Sequence, residues 1–255
     1  MFPVLLKIGP ISIFTYGFFI AVGFLAGIFL ATKEAKRLGE DHEKIMDLCF
    51  YVLIAAILGS RLFYVATSPG MFLRDPVEIL KIWNGGLVFY GGFIAALVTG
   101  VIFLKIKNIP VWKTADIMAP SIALAHFFGR IGCFFAGCCY GKYCDLPWAV
   151  TFNHSDSLAP TGIPLHPTQL YEALGNLGIF LFLFFFSKRK KYDGQIFWMY
   201  VLLYGITRSV IETFRGDFRG DYIFGNLSVS QVIGGVMAVI SVVMLLIQSR
   251  RVKSK

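Results

Sequence analysis

A chain of 255 residues that is 56% hydrophobic, only 15% charged and of mean hydropathy +0.69 is too apolar for an ordinary soluble domain. Its apolar residues fall in runs of membrane-spanning length, and backbone polar groups in lipid must be satisfied within each segment, so the expectation is an all-α integral membrane protein, one transmembrane domain over residues 1–255 with no soluble domain attached. The formal charge of +9 is read as topology and anionic-lipid contact, with no nucleic-acid partner, because the basic residues sit mainly between the apolar runs.

In chain order, the segment 1–13, with Pro3, Gly9 and Pro10, is expected to lie at the membrane interface. The run after it is long, only Lys7 precedes it and no clear small-residue cleavage site follows, so it is read as a retained helix rather than a signal peptide. Seven spans are expected: Phe14–Ala31, Met46–Ala66, Gly86–Leu104, Ala115–Ala136, Pro167–Ser187, Gln195–Phe214 and Leu227–Ile247. Each is close to the ~20 residues that a transmembrane helix needs.

Basic residues set the orientation. The first, third and fifth connections and the C-terminal tail carry 15 Lys and Arg, while the opposite side, including Arg215 and Arg219, carries 6. The positive-inside rule therefore places the N-terminus outside, the C-terminus in the cytoplasm and the loop 137–166 on the outer face. Three arginines, Arg61, Arg130 and Arg208, fall within spans and late in outward-running ones. Arg130 is 15 residues past Ala115, about 22 Å along a helix rising 1.5 Å per residue. Tyr16, Phe89-Tyr90-Gly91-Gly92 and His166-Pro167-Thr168-Gln169-Leu170-Tyr171-Glu172 open inward-running spans, so polar and glycine-rich positions converge on the outer leaflet.

An arginine in hydrocarbon needs an anionic partner or a wet cavity, and its planar fork matches phosphate oxygens. Arg130 and Arg208 are the candidates for holding a phosphate. Arg208 has a second reading as an ion pair with Glu212 at i, i+4, whereas Arg130 has no acid within a turn of it. Arg61 is the weaker candidate, with snorkelling to the interface beside Tyr64 as its other reading. Tyr90 is either an aromatic-belt residue or a hydroxyl that orients a headgroup or nucleophile. Glu172 either orders an arginine or accepts a proton, and His126 is a base or makes one helix–helix hydrogen bond. Cys133, Cys138, Cys139 and Cys144 form C-x4-CC-x4-C, a poor zinc match, open to metal, disulfide or packing readings, with packing favoured for Cys133.

These stretches resemble a bacterial family, the prolipoprotein diacylglyceryl transferases. Gly129-Arg130-Ile131-Gly132-Cys133-Phe134 followed by Gly137 and Gly141 resembles the family's G-R-x-G-N-F signature, and Leu165–Glu172 is similar to its H-P-[ST]-Q-L-Y-E segment. Tyr204-Gly205 with Arg208, Glu212 and Arg215 resembles its Y-G-x-x-R-x-x-x-E-x-x-R stretch, while Tyr16-Gly17, Gly59 with Arg61, and Trp83-Asn84-Gly85-Gly86 also match in order and spacing. Such enzymes move the diacylglyceryl group of phosphatidylglycerol onto the lipobox cysteine of a prolipoprotein signal peptide, at the outer face of the cytoplasmic membrane, releasing glycerol phosphate. The resemblance implies that Arg130 and Arg208 grip the phosphate; Tyr90, at the position of a family histidine, is taken with them as a catalytic candidate. It implies that Tyr16, Arg61, Cys133, Gly137, Tyr204 and Glu212 contact the lipid, and that His166, Gln169, Tyr171 and Glu172 support the site. It departs at three positions: Tyr90 stands where many members carry a histidine proposed as the base, Cys133 where the signature has Asn, and Cys138 where many have Glu.

The chemistry implied needs no metal and no organic cofactor. A thiolate attacks the glyceryl carbon bearing the phosphate ester, and guanidinium groups favour the thiolate and stabilise the leaving phosphate. Without the histidine, electrostatics is the preferred route to deprotonation, Tyr90 orienting the thiol or headgroup. Two rival readings use the same residues: an anionic-solute transporter, and a membrane thiol-redox or metal-handling protein built on Cys133–Cys144.

Overall fold

A computed structural model describes residues 2–9, 11–81, 85–217 and 227–253. Pro10, Trp83, Asn84, Arg219 and Lys255, used in the sequence reading, lie outside the described residues. In chain order the elements are β1 (Val4–Ile8), β2 (Ile11–Phe14), α1 (Thr15–Arg37), α2 (His42–Thr67), the short α3 (Pro69–Arg74) and a 3₁₀ turn (Pro76–Leu80). Then come α4 (Phe89–Ile106), α5 (Val111–Ala136), β3 (Val150–Thr151), β4 (Pro164–Leu165), α6 (Thr168–Phe186), α7 (Gln195–Glu212) and α8 (Val229–Lys253). Each of the seven expected runs coincides with one long helix, although α1 and α8 continue past the expected ends at Ala31 and Ile247. Six of these helices are long and apolar enough to cross a membrane. The exception is α7, whose hydropathy Gln195, Arg208 and Glu212 lower. The described residues of segment 1–13 form most of an antiparallel pair, β1 against β2, with Gly9 in the left-handed region at φ 58°.

The described residues group into two compact units, Thr32–Thr114 and Met1–Ala31 with Ala115–Lys255. In Thr32–Thr114, Asp41 caps α2 by accepting from the backbone N–H groups of Glu43 and Lys44, at 3.0 and 3.3 Å. α2 packs on α4 through small residues: a Cβ at Gly59 would lie 2.7 Å from the Gly91 carbonyl oxygen, and one at Gly92 2.8 Å from that of Ala56. Glycine lets these two backbones meet, the usual device where lipid gives no hydrophobic drive to helix association. Leu48, Phe103 and Leu104 close the other end of this pair.

In the larger unit the same device joins α1 to α5. A Cβ at Gly23 would lie 3.0 Å from the Ala125 carbonyl oxygen, and one at Gly132 3.2 Å from that of Tyr16. α7 meets α8 where Gly205 faces Gly234, each within 2.8 Å of the other's carbonyl oxygen once a Cβ is added. Between them, Ala119, Ala123, Ile179, Leu183, Ile196, Tyr200 and Val201 from α5, α6 and α7 form the main core. Asp116, buried on α5, fixes the start of α7 by accepting from Gly194 N–H (2.8 Å), Phe197 N–H (2.9 Å) and Lys190 Nζ (3.1 Å). Large apolar side chains elsewhere point outward, Leu25, Phe29, Val239 and Leu246 among them, as expected of helices solvated by lipid.

Candidate active site

The site is built where α5 ends. Gly137 terminates the helix at φ 77°, a left-handed position that glycine adopts at no steric cost. The chain beyond it is clamped from two sides. Gly141 N–H donates to His166 O (3.0 Å) and Lys142 N–H to Phe214 O (2.8 Å), while Gly216 N–H donates to Tyr140 O (3.1 Å). A Cβ at Gly216 would fall 2.8 Å from the Gly141 carbonyl carbon, so glycine is required for this approach.

The H-P-T-Q-L-Y-E segment supplies the other half of the clamp, and most of its polar residues have a distinct job. Thr168 Oγ1 donates to Cys139 O and Gln169 Nε2 to Cys138 O, both at 2.8 Å, and both side chains are buried. The Tyr171 hydroxyl accepts from Trp148 Nε1 (2.8 Å) and lies 3.1 Å from His166 Nδ1. Pro167 precedes the first helical residue, and Glu172 enters the interior one turn later.

Glu172 is the hub. Its Oε1 accepts from Arg215 Nη1 at 2.9 Å and from Arg208 Nη1 at 3.4 Å. Its Oε2 lies 2.6 Å from Arg130 Nε, an ion pair whose N–H is not aimed along the contact. Glu212 pairs with Arg208 at 2.5 Å and Arg215 at 3.8 Å, and Asp217 takes Arg215 Nε and Nη2 at 2.9 and 2.8 Å. Three guanidiniums thus face three carboxylates, so the cluster is close to neutral and a bound phosphate would depend on directed donors more than on net charge. The donors are unequally committed. Arg215 uses Nε, Nη1 and Nη2 in hydrogen bonds, whereas Arg130 comes nearest to Glu172 with Nε. Among the described residues neither Nη of Arg130 makes a hydrogen bond, and its side chain is 21% exposed. Arg208 is intermediate, with Nη2 3.3 Å from Ser230 Oγ.

Aromatic and sulfur groups border this cluster. Tyr16 lies within electrostatic reach of Arg130, Cys133, Cys138 and Cys139, and Tyr204 within reach of Arg130. Tyr204 stacks on Tyr200 at a ring separation of 5.8 Å and meets the tilted His126 ring at 5.4 Å, and His126 Nδ1 is 3.1 Å from the Tyr200 hydroxyl. None of the five cysteines is in a disulfide. Hydrogen bonds with Cys133 and Cys138 hold the Cys139 thiol far below the usual thiol range, with the Arg215 guanidinium adding to the effect. The same sulfur contacts push Cys138 up. Cys144 is buried, its sulfur accepting from Leu146 N–H at 3.4 Å.

The larger unit therefore brings together Tyr16, Arg130, Cys133, Gly137, His166, Gln169, Tyr171, Glu172, Tyr204, Arg208 and Glu212. Arg61 and Tyr90 belong to the other unit. Arg61 is buried, and its guanidinium donates to the carbonyls of Ile79 (3.0 Å), Gly85 (2.6 Å), Gly86 (3.3 Å) and Glu78, beside the rings of Tyr64 and Phe72. It ties the segment after α2 to the segment before α4 and does not snorkel. Tyr90, at the start of α4, is 61% exposed. Two further points depart from the sequence reading. Arg130 does have an acid, but from α6, which no spacing within α5 reveals. Arg215, assigned to a loop, is the most fully paired of the three arginines; its position seven residues after Arg208 is the signal that could have found it.

Comparison with known proteins gives the family. Residues 3–247 match the family described as prolipoprotein diacylglyceryl transferase. A phosphatidylglycerol–prolipoprotein diacylglyceryl transferase of Clostridium tetani is 40% identical over 233 residues, covering 91% of this chain and 92% of that protein. The protein of the same name from Finegoldia magna is 38% identical over 235 residues (92% and 90%), and one numbered 2 in Clostridium perfringens is 35% identical over 241 (92% and 93%). With six helices apolar enough to span a membrane and a match across nearly its whole length, this multi-pass membrane protein belongs to the prolipoprotein diacylglyceryl transferase family and is a diacylglyceryl transferase.

Proposed function

We propose that this chain transfers the diacylglyceryl group of phosphatidylglycerol to the lipobox cysteine of prolipoprotein signal peptides, at the outer face of the bacterial cytoplasmic membrane. In this reading α7 is a seventh span and the chain is one transmembrane domain, N-terminus outside and C-terminus in the cytoplasm. The 15-to-6 distribution of Lys and Arg supports that orientation. Segment 1–13 then lies at the outer interface, and loop 137–166 faces outward.

The observation that carries the reading is the spare pair of Nη groups on Arg130 inside a cluster whose other guanidiniums are held by carboxylates. A fork already oriented through Nε is prepared to donate two parallel hydrogen bonds to phosphate oxygens. Arg208, steadied by Glu172 and Glu212, is the second phosphate contact. Tyr16, Tyr204, Cys133 and Gly137 border the headgroup. His166, Gln169, Tyr171 and Glu172 act as positioning residues, the first three by holding the loop and the last by orienting the arginines. In the other unit, Arg61 is a loop anchor.

The acceptor sulfur, as thiolate, attacks the glyceryl carbon that bears the phosphate ester. A C–S bond forms as the C–O bond breaks, and the electron pair leaves with glycerol phosphate, whose developing charge meets the Arg130 donors. The deciding assay combines purified protein, phosphatidylglycerol and a lipobox peptide, read by mass spectrometry. A diacylglyceryl thioether on the cysteine peptide is expected; an unmodified peptide refutes the reading.

A further inference from the structure

The loop that carries the arginine cluster also gathers three sulfurs. Cys133, in the last turn of α5, and Cys138 and Cys139, just beyond it, place their Sγ atoms within 4.8 Å of one another. The linear C-x4-CC spacing matches no common zinc pattern. Gly137 at φ 77° and Cys139 at φ 62° turn the chain back, so that residues 138 and 139 return to 133. In a tetrahedral centre with Zn–S near 2.3 Å, sulfurs lie about 3.8 Å apart, inside the 4.8 Å that bounds the three sulfurs here.

The surroundings suit thiolate ligands. Arg130 lies within electrostatic reach of Cys133, and the Arg215 guanidinium contacts Cys139. Such donors are what the outer shell of a thiolate–metal centre provides. The backbone of the loop is fixed by Thr168 and Gln169 through the carbonyls of Cys139 and Cys138, which holds the backbone that carries two of the three thiols. Cys133 is buried while Cys138 and Cys139 are half-buried, so the trio is approached from one side. Among the described residues no fourth His, Cys, Asp or Glu joins the group.

We propose that Cys133, Cys138 and Cys139 bind a soft divalent cation, zinc by its ligand chemistry, as three thiolates, leaving the fourth position open to the thiol of the acceptor peptide. Three protein ligands plus one open position is the arrangement of catalytic rather than structural zinc. The three-thiolate site stands on the geometry alone; the use of its fourth position rests on the function proposed above. A thiol that enters that position loses its proton to solvent, since coordination to zinc deprotonates it outright. The bound sulfur then attacks the glyceryl carbon, the C–O bond to phosphate breaks with its electron pair going to the leaving oxygen, and the neutral thioether dissociates. The ion stays divalent, and no protein base is required.

The test uses the full-length protein in detergent, stripped with a chelator and titrated with Zn²⁺ or Cd²⁺. One ion per chain is expected, with a sulfur-to-cadmium absorption band of three thiolates. Cys133→Ser, Cys138→Ser and Cys139→Ser should each weaken binding about tenfold or more, whereas Cys49→Ser and Cys144→Ser should bind like the unmutated protein. In the unmutated protein zinc should also shield Cys138 and Cys139 from a maleimide, a readout that needs no variant to fold. No ion bound at micromolar free zinc, undiminished binding by the triple serine variant, or equal alkylation with and without zinc overturns the site. A lipobox cysteine peptide should enlarge the cadmium band by one thiolate and its serine analogue should not. An unchanged band overturns the open position, while the transfer assay reports separately on the reaction.

Discussion

Two arginines within apolar helices, buried Arg61 and half-buried Arg130, one in each unit, have opposite fates. Arg61 on α2 gives its guanidinium to four backbone carbonyls between two aromatic rings. Arg130 on α5 lies against a carboxylate oxygen of Glu172 through Nε and leaves both Nη groups without a hydrogen bond among the described residues. An arginine inside an apolar helix is by default read as functional, and both qualify. Burial makes a partner obligatory; the kind of partner decides the role. Carbonyls that take every nitrogen leave nothing for a ligand, whereas a carboxylate shared among three guanidiniums cannot satisfy them all.

The largest expected effect tests the hub of that sharing. Glu172→Gln leaves three guanidiniums short of an anion in a buried setting, and removing one partner of a buried pair costs about 3–5 kcal/mol. The thermal unfolding midpoint in detergent should fall accordingly; an unchanged midpoint would mean that Glu172 does not hold the cluster. Next, Arg130→Ala should lower kcat/KM for diacylglyceryl transfer by about 10²–10³ with little change in the midpoint, by analogy with deletion of one oxyanion donor. Arg130→Lys should recover little of it, because a point charge cannot replace the fork. Arg61→Gln sharpens the contrast from the other side. It orphans backbone carbonyls at about 1–3 kcal/mol while the folded fraction keeps its transfer rate within about threefold. A loss as large as that for Arg130→Ala would erase the distinction between the two residues. The smallest effect is expected at Tyr90, where Tyr90→Phe should cost far less than the ~10²–10⁴ of a lost general acid or base; a loss of that size would make its hydroxyl a proton carrier.

The H-P-T-Q-L-Y-E segment marks how far linear reading goes. Its proline and the following apolar run place the start of α6 to within a residue. Glu172 is legible as a polar intruder in that run, yet its two readings, ordering an arginine or taking a proton, separate only when three guanidiniums are found around it. The cysteines behave likewise. Their spacing argues against a metal, and the positive φ angles at Gly137 and Cys139 bring together what the spacing keeps apart. Arg215 falls past the end of α7, where helical periodicity stops, and is returned to the cluster by its bridge to Gly141.

By itself the sequence determined the long helices, their approximate ends, the multi-pass membrane character and the family, because hydropathy is local: each apolar helix satisfies its own backbone and matches the thickness of the lipid. Only the tertiary structure decided which charges meet. Glu172 lies 36 residues from Arg208 and 43 from Arg215, and the contacts that join them arise from helices meeting at glycine and from a loop pinned by side-chain hydrogen bonds. Those pairings follow from where whole elements pack, which no local pattern of residues encodes.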